Sequence, residues 1–224
     1  MIAMPARKIP LNYRNITGYV HSDKSTAYTY FESSLERDAL ILCEFDHRIK
    51  AFQTQPRRFV YKHEGKHRHY TPDILIEYIN GQKQYVEIKY REDLKKDWQK
   101  LKPKFKAAIK ELKAEADTRF KILTEREIRT PFLESATFLL PYKNRPYQEH
   151  QLATIRKILS RGRAMPITDL LSLCSNDTME QAEFLNTVWY GIANQLIEAD
   201  LHQPLNMNLP VWVPSDDLDH EQKL

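Results

Sequence analysis

Two short runs of alternating residues, separated by Asn80-Gly81, constrain this chain more than any other feature. On one side Ile74, Ile76 and Tyr78 alternate with Asp73, Leu75 and Glu77; on the other Val86, Ile88 and Tyr90 alternate with Tyr85, Glu87 and Lys89. Alternation marks a strand and Asn-Gly a tight turn, so the pattern predicts a β-hairpin. The apolar residues are all even-numbered. Side chains alternate faces along a strand, so they share a face only if paired residue numbers sum to an even number. A two-residue Asn-Gly turn pairs Ile79 with Gln82 and splits the apolar set between faces. A three-residue loop, Ile79-Asn80-Gly81, pairs Tyr78 with Gln82 and restores one face. It suits a type I turn with Gly81 in the left-handed position of a bulge.

The same register sets Asp73 opposite Glu87, with Lys89 two residues further on that face. Two carboxylates and a lysine then converge on one patch of sheet. Paired carboxylates can hold a hard divalent cation, and a lysine can orient water or neutralise developing charge. On spacing alone the patch is equally well a solvent-facing cross-strand salt bridge.

Around the hairpin, Leu35, Ala39, Leu42 and Cys43 recur at helical spacing and predict a helix over 32–45. Residues 1–28 read as an arm with one short strand. Residues 53–61 read as extended and interrupted by Pro56, and 63–69 as a polar turn. A long lysine-rich helix is expected over 93–116, with Trp98, Leu101, Phe105, Ile109 and Leu112 on its apolar side and Pro103 as a kink point. Phe120, Ile122 and Leu123 predict a further strand. This order gives an α/β domain over 1–140 built on a mixed sheet. Pro141 to Pro146 reads as a linker. Beyond it, helices over 148–159, 167–174 and 179–196 precede an extended pair at 198–202 and 211–213. That order predicts a small winged-helix-like α+β domain over 147–214, with an acidic tail at 215–224.

Charge divides the chain of 224 residues unevenly. Residues 146–224 hold five Lys and Arg against eleven Asp and Glu, a net −6, and the remainder carries +10. The basic front suits a polyanion such as nucleic acid. Five glycines, with neither a GxxxxGK[ST] nor a GxGxxG pattern, exclude the usual phosphate-cradling loops. The two cysteines lie far apart in apolar settings, against a disulfide scaffold or zinc ribbon and for a reducing cytoplasm. No apolar run reaches the roughly 18–20 residues of a membrane helix, and residues 1–7 lack a signal-peptide core. His63, His67 and His69 read as a polar loop in preference to a zinc site. Arg57, Arg58, Lys95 and Lys96 are candidate phosphate contacts; a solvated surface explains them as well.

Thr71-Pro72-Asp73 followed by Glu87-Ile88-Lys89 matches the PD…(D/E)xK signature of restriction-endonuclease-like nucleases. Such a fold draws a third acid from a preceding helix, here Glu32 or Glu36. Phe31-Glu32-Ser33-Ser34-Leu35-Glu36-Arg37-Asp38, Glu44-Phe45-Asp46, Gln53-Thr54-Gln55-Pro56, Tyr70-Thr71-Pro72-Asp73 and Val86-Glu87-Ile88-Lys89 together resemble the TnsA family. Its members are endonuclease subunits of heteromeric cut-and-paste transposases, CRISPR-associated ones included. The resemblance covers roughly residues 15–130 by motif and the rest by architecture only.

It implies a restriction-endonuclease-like fold and metal-dependent cleavage at the 5′ ends of a transposon. A partner transposase cuts the 3′ ends, and an AAA+ ATPase regulates. The implied site is Glu36, Asp73, Glu87 and Lys89. Magnesium, or manganese in its place, is held by Asp73, Glu87 and the Ile88 carbonyl with help from Glu36, and the products are a 3′-hydroxyl and a 5′-phosphate. Some relatives carry Gln at the position of Glu87. A bacterial cytoplasmic location goes with this reading. The alternatives are another nuclease of the same fold, for restriction or repair, and a DNA-binding adaptor with an inactive site.

Overall fold

A computed structural model describes residues 17–25, 29–162 and 164–214. Strand β6 (Ile74–Tyr78) and strand β7 (Lys83–Ile88) form the hairpin with the expected parity. Ile74 faces Val86, Leu75 faces Tyr85 and Ile76 faces Gln84. The Tyr78 N–H donates to the Gln82 carbonyl at 2.9 Å and the Gly81 N–H to the Tyr78 carbonyl at 3.0 Å. Gly81 has φ 85°, the left-handed conformation this loop requires.

The chain separates into two compact units, Met1–Arg129 and Thr130–Leu224. The first opens with β1 (Gly18–Val20), β2 (Thr29–Phe31), α1 (Ser34–Phe45) and β3 (Ile49–Thr54). Next come β4 (Phe59–His63) and β5 (Lys66–Tyr70). After the β6–β7 hairpin follow α2 (Arg91–Leu112), β8 (Thr118–Leu123) and α3 (Glu125–Ile128). The central sheet has the order β3-β6-β7-β8. Its β7–β8 pair is parallel and its other pairs antiparallel, a mixed sheet flanked by helices that is consistent with a restriction-endonuclease-like fold.

Both faces of the hairpin are covered. On the even-numbered face Ile74, Ile76, Val86 and Ile88 pack with Leu35, Ala39, Leu40 and Cys43 of α1. On the other, Leu75, Tyr85, Phe120 and Ile122 pack with Phe105, Ala108 and Leu112 of α2 and with Phe59 and Tyr70. The odd-numbered face is therefore the floor of a second core and not a solvent-facing surface. In α2 the buried positions are Phe105, Ala108 and Leu112, while Trp98 and Ile109 are exposed, a rotation of about one residue from the expected stripe. Pro103 is accommodated inside a continuous helix.

Two local expectations change. Residues 63–69 are no polar loop: His63 ends β4, and β5 pairs back on it through Glu64 (φ 50°) and Gly65 (φ 73°), two consecutive left-handed residues as a tight hairpin turn needs. Helix α1 begins at Ser34, with Ser33 as its N-cap, so Glu32 precedes the helix.

In the second unit, α4 (Pro131–Leu139) lies ahead of the expected linker, and a 3₁₀ turn (Leu140–Tyr142) occupies the linker's start. Helices α5 (Glu149–Leu159), α6 (Ile167–Cys174) and α7 (Thr178–Ala193) follow. Strand β9 (Met165–Pro166) pairs with β11 (Pro210–Trp212), which pairs with β10 (Glu198–Ala199). This small antiparallel sheet has one strand more than expected. Leu152, Ile155, Leu159, Leu170, Phe184, Val188, Trp189 and Ile192 are buried. The expected acidic tail lies outside the described residues. Among the described residues no helix is long and apolar enough to cross a membrane.

Candidate active site

Strands β3, β6 and β7 come together at one end of the sheet, and the predicted residues meet there. Regular pairing of β6 and β7 stops at Ile74 and Val86, so Asp73 is not a ladder partner of Glu87. Its N–H instead donates to the Val86 carbonyl at 3.0 Å. Its side chain reaches across, and Oδ2 accepts the Ile88 N–H at 2.6 Å. Oδ1 takes no hydrogen bond from a described residue. Burial and then the charge of Glu87 push the Asp73 carboxyl well above its usual range, with Lys89 opposing.

Glu87 is 2% exposed, and both its oxygens are held. Oε2 accepts from the Tyr70 hydroxyl at 2.7 Å, and Oε1 lies 3.0 Å from Lys104 Nζ and 3.9 Å from Lys89 Nζ. Tyr70 is fixed by rings on three sides, with centroids at 6.2 Å (Phe59), 5.9 Å (Phe105) and 6.4 Å (Phe120). Burial and the nearby Glu87 charge raise its pKa, which keeps its hydroxyl protonated as a donor. Lys104 Nζ lies 4.5 Å from the centre of the Tyr70 ring. At Lys89 burial works against the charge, but Asp73, Glu87 and Glu36 outweigh it and raise the ammonium pKa.

Glu36 faces this cluster from the start of α1. Asp73 and Lys89 both feel its charge. Its oxygens also cap the helix: Oε2 accepts the Glu32 N–H at 2.8 Å and Oε1 the Ser33 hydroxyl at 3.1 Å, while the Glu36 N–H donates to Ser33 Oγ at 3.2 Å. Burial leads in raising the Glu36 carboxyl, against the hydrogen bonds from Glu32 and Ser33 and the charge of Lys89.

Tyr70 and Lys104 were not predicted as site residues. For Lys104 a signal existed: it lies four residues before Ala108 and three after Leu101, on the stripe that faces the sheet. Gln55 is a further unpredicted neighbour. Its N–H donates to the Asp73 carbonyl at 2.9 Å, its φ is 51°, and its buried Oε1 has no hydrogen-bond partner.

The candidate phosphate contacts divide. Arg57 is engaged within the fold, paired with Glu115 at 2.7 Å and Glu111 at 2.9 Å and stacked 4.5 Å from the centre of the Phe59 ring. That arrangement pins the chain ahead of β4 to α2 and takes the guanidinium away from a phosphate role. Arg58, Lys95 and Lys96 are exposed.

Among the described residues no group of three or more His, Cys, Asp or Glu side chains converges to hold a metal ion. The site fits a sparser set. Asp73 offers an open oxygen beside Glu87 and the main chain of Ile88, all hard oxygen donors of the kind magnesium combines with water and phosphate. Around this spot Glu36, Asp73 and Glu87 stand against the ammonium groups of Lys89 and Lys104.

The arrangement is thus an acid just ahead of one hairpin strand, and an acid near the end of the next with a lysine two residues on, as the sequence signature leads one to expect. Residues 46–125 match the family model described as TnsA-like endonuclease N terminal. The first unit thus contains a TnsA-like endonuclease domain, in support of the TnsA-family assignment; the matched span runs from before β3 to the start of α3 and leaves out α1 and Glu36. No curated protein matches the sequence.

Proposed function

We propose that this chain is a magnesium-dependent DNA endonuclease that cuts the 5′ ends of a transposon. It acts with a transposase that cuts the 3′ ends and with an AAA+ ATPase regulator. The observation that carries the reading is the meeting of Asp73, Glu87 and Lys89 at one end of β7 inside a TnsA-like domain. Asp73, Glu87 and the Ile88 carbonyl would hold the magnesium, or manganese in its place, with Glu36 tuning the charge. A bound divalent cation supplies Lewis acidity and lowers the pKa of water. Lys89, kept charged by its acidic neighbours, orients the attacking water and balances charge developing on the phosphate. The exposed lysines of α2, Lys95 and Lys96 among them, attract the DNA backbone.

The second unit binds protein in this reading. Its order of helix, strand, two helices and two strands supports a winged-helix-like assignment. A reading helix in the major groove needs basic residues, and α7 has no Lys or Arg but carries Glu180 and Glu183. The acidic charge of residues 146–224 also opposes approach to a duplex. A bacterial cytoplasmic location goes with the reading.

The test is cleavage of end-labelled transposon-end DNA by the full chain, with and without the partner proteins. Magnesium-dependent nicking at the 5′ ends, lost in Lys89→Ala, is the expected result. Nicking indifferent to the partners points to a free-standing nuclease, and DNA binding without any nicking points to an adaptor.

A further inference from the structure

Lys104 stands apart from the other lysines of α2. They line a solvated helix face, whereas its side chain is 19% exposed and its ammonium sits 3.0 Å from the one oxygen of Glu87 that Lys89 also approaches. Burying an ammonium is costly unless it is paired, and a buried pair is often no more stable than apolar packing. The sheet-facing stripe around it is apolar: Leu101, Phe105, Ala108 and Leu112. A methionine would suit that stripe, so stability alone does not account for a lysine.

Its position has a chemical meaning. Glu87 Oε2 accepts from the neutral Tyr70 hydroxyl, whereas Oε1, the oxygen on the side of Lys89, carries the Lys104 ammonium, so a cation approaching that oxygen meets a positive charge already seated on it. We propose that Lys104 holds the divalent-cation seat on Glu87 Oε1 and leaves it when the cation binds. The idea rests on the nuclease reading of the site. With no divalent ion present, the ammonium balances the Asp73–Glu87 pair and keeps Glu87 oriented; it is a positioning residue and an internal competitor of the ion. The cation–π contact with Tyr70 holds the ammonium over the ring. The site then fills only when ion concentration, or a phosphate adding further oxygen donors, favours the exchange.

Calcium binding to the full chain without DNA, followed by calorimetry, tests this apart from cleavage. Lys104→Met is expected to tighten calcium binding by about ten-fold or more, because a unit charge in direct contact is removed from a poorly solvated site. Lys104→Arg keeps the charge and should bind calcium no more tightly than the wild type. Lys100→Met removes the same charge from the same helix at an exposed position, 84% accessible, where solvent screening limits the change to about two-fold. Should Lys104→Met fail to fold in a thermal melt, Lys104→Gln carries the same comparison. Calcium affinity in the Lys104 variant no greater than in Lys100→Met overturns the proposal while leaving the nuclease reading in place. If neither wild type nor Lys104→Met binds calcium better than Asp73→Asn, the metal site itself falls, and this proposal with it.

Discussion

Asp73 Oδ2 accepts the backbone N–H of Ile88 at 2.6 Å, beyond the point where regular pairing of their two strands has ended. The carboxylate thus does what a ladder hydrogen bond would have done, and its second oxygen stays available. The structural role and the proposed chemical role fall on different atoms of one side chain.

Two substitutions separate those roles. Asp73→Asn keeps an acceptor oxygen for Ile88 and should fold with near wild-type stability while losing nicking. Asp73→Ala leaves that N–H without its partner and should cost about 1–3 kcal/mol in addition. Urea unfolding beside a nicking assay checks both; an Ala variant as stable as the Asn variant would show the bond to be unimportant.

The buried neighbour behaves differently. Removing Glu87 as Ala strands Lys104 and the Tyr70 hydroxyl in a site that is almost closed to solvent. Breaking a buried pair from one side costs about 3–5 kcal/mol. The double variant Glu87→Gln with Lys104→Met removes both charges and should be more stable than Glu87→Ala alone. A double-mutant cycle by denaturant unfolding measures the coupling, which is expected to be clearly non-zero. Additive effects would mean that the 3.0 Å contact contributes nothing to folding.

The hairpin register followed from parity alone because one face had to be apolar throughout, and burial leaves no freedom to slip by one residue. The three helices after residue 148 were legible for a similar reason, since their apolar stripes repeat at helical spacing. The β4–β5 hairpin was not. Its second strand, Lys66-His67-Arg68-His69-Tyr70, is exposed except at Tyr70, so no alternation of hydrophobicity betrays it. Only the Glu64-Gly65 turn gave a cue. At the site, Glu87 lies on a strand that sets the register and Asp73 and Lys89 directly flank those strands, so the same pattern locates all three. Tyr70 reaches Glu87 from another hairpin, through packing that no local spacing encodes; the spacing of Lys104 marks it as facing the sheet, but its meeting with Glu87 is set by the packing of α2 on β7. The start of α1 was readable and misjudged: Ser33 and Glu36 carry the S-x-x-E capping signature, which places Glu32 outside the helix.

Buried Thr54 offers a test free of the chemistry. It lies in β3 opposite Ile74, and its hydroxyl has no hydrogen-bond partner. Valine has nearly the same shape without the desolvated hydroxyl. Thr54→Val should therefore raise stability by about 1 kcal/mol, read as a higher denaturation midpoint with unchanged slope. A loss of stability would mean that the hydroxyl is satisfied in solution, by a bound water for example.

Glu36 carries two candidate roles at once, and a graded series at this position separates them. Its oxygens cap α1 through Glu32 and Ser33, and its charge reaches Asp73 and Lys89. Gln retains the acceptor for the cap and removes the charge; Ala removes both. If Glu36 serves the chemistry, Glu36→Gln should fold normally yet nick poorly, and Glu36→Ala should show the same nicking defect with about 1 kcal/mol less stability from the lost cap. Glu32→Ala leaves its own N–H in place for the cap and should keep more activity than either. A Gln variant that nicks at the wild-type rate would reduce Glu36 to a helix cap and leave Asp73, Glu87 and Lys89 as the whole reactive set. That outcome is physically reasonable, because each Glu36 oxygen already accepts one capping bond, which ties the carboxylate's orientation to the start of α1.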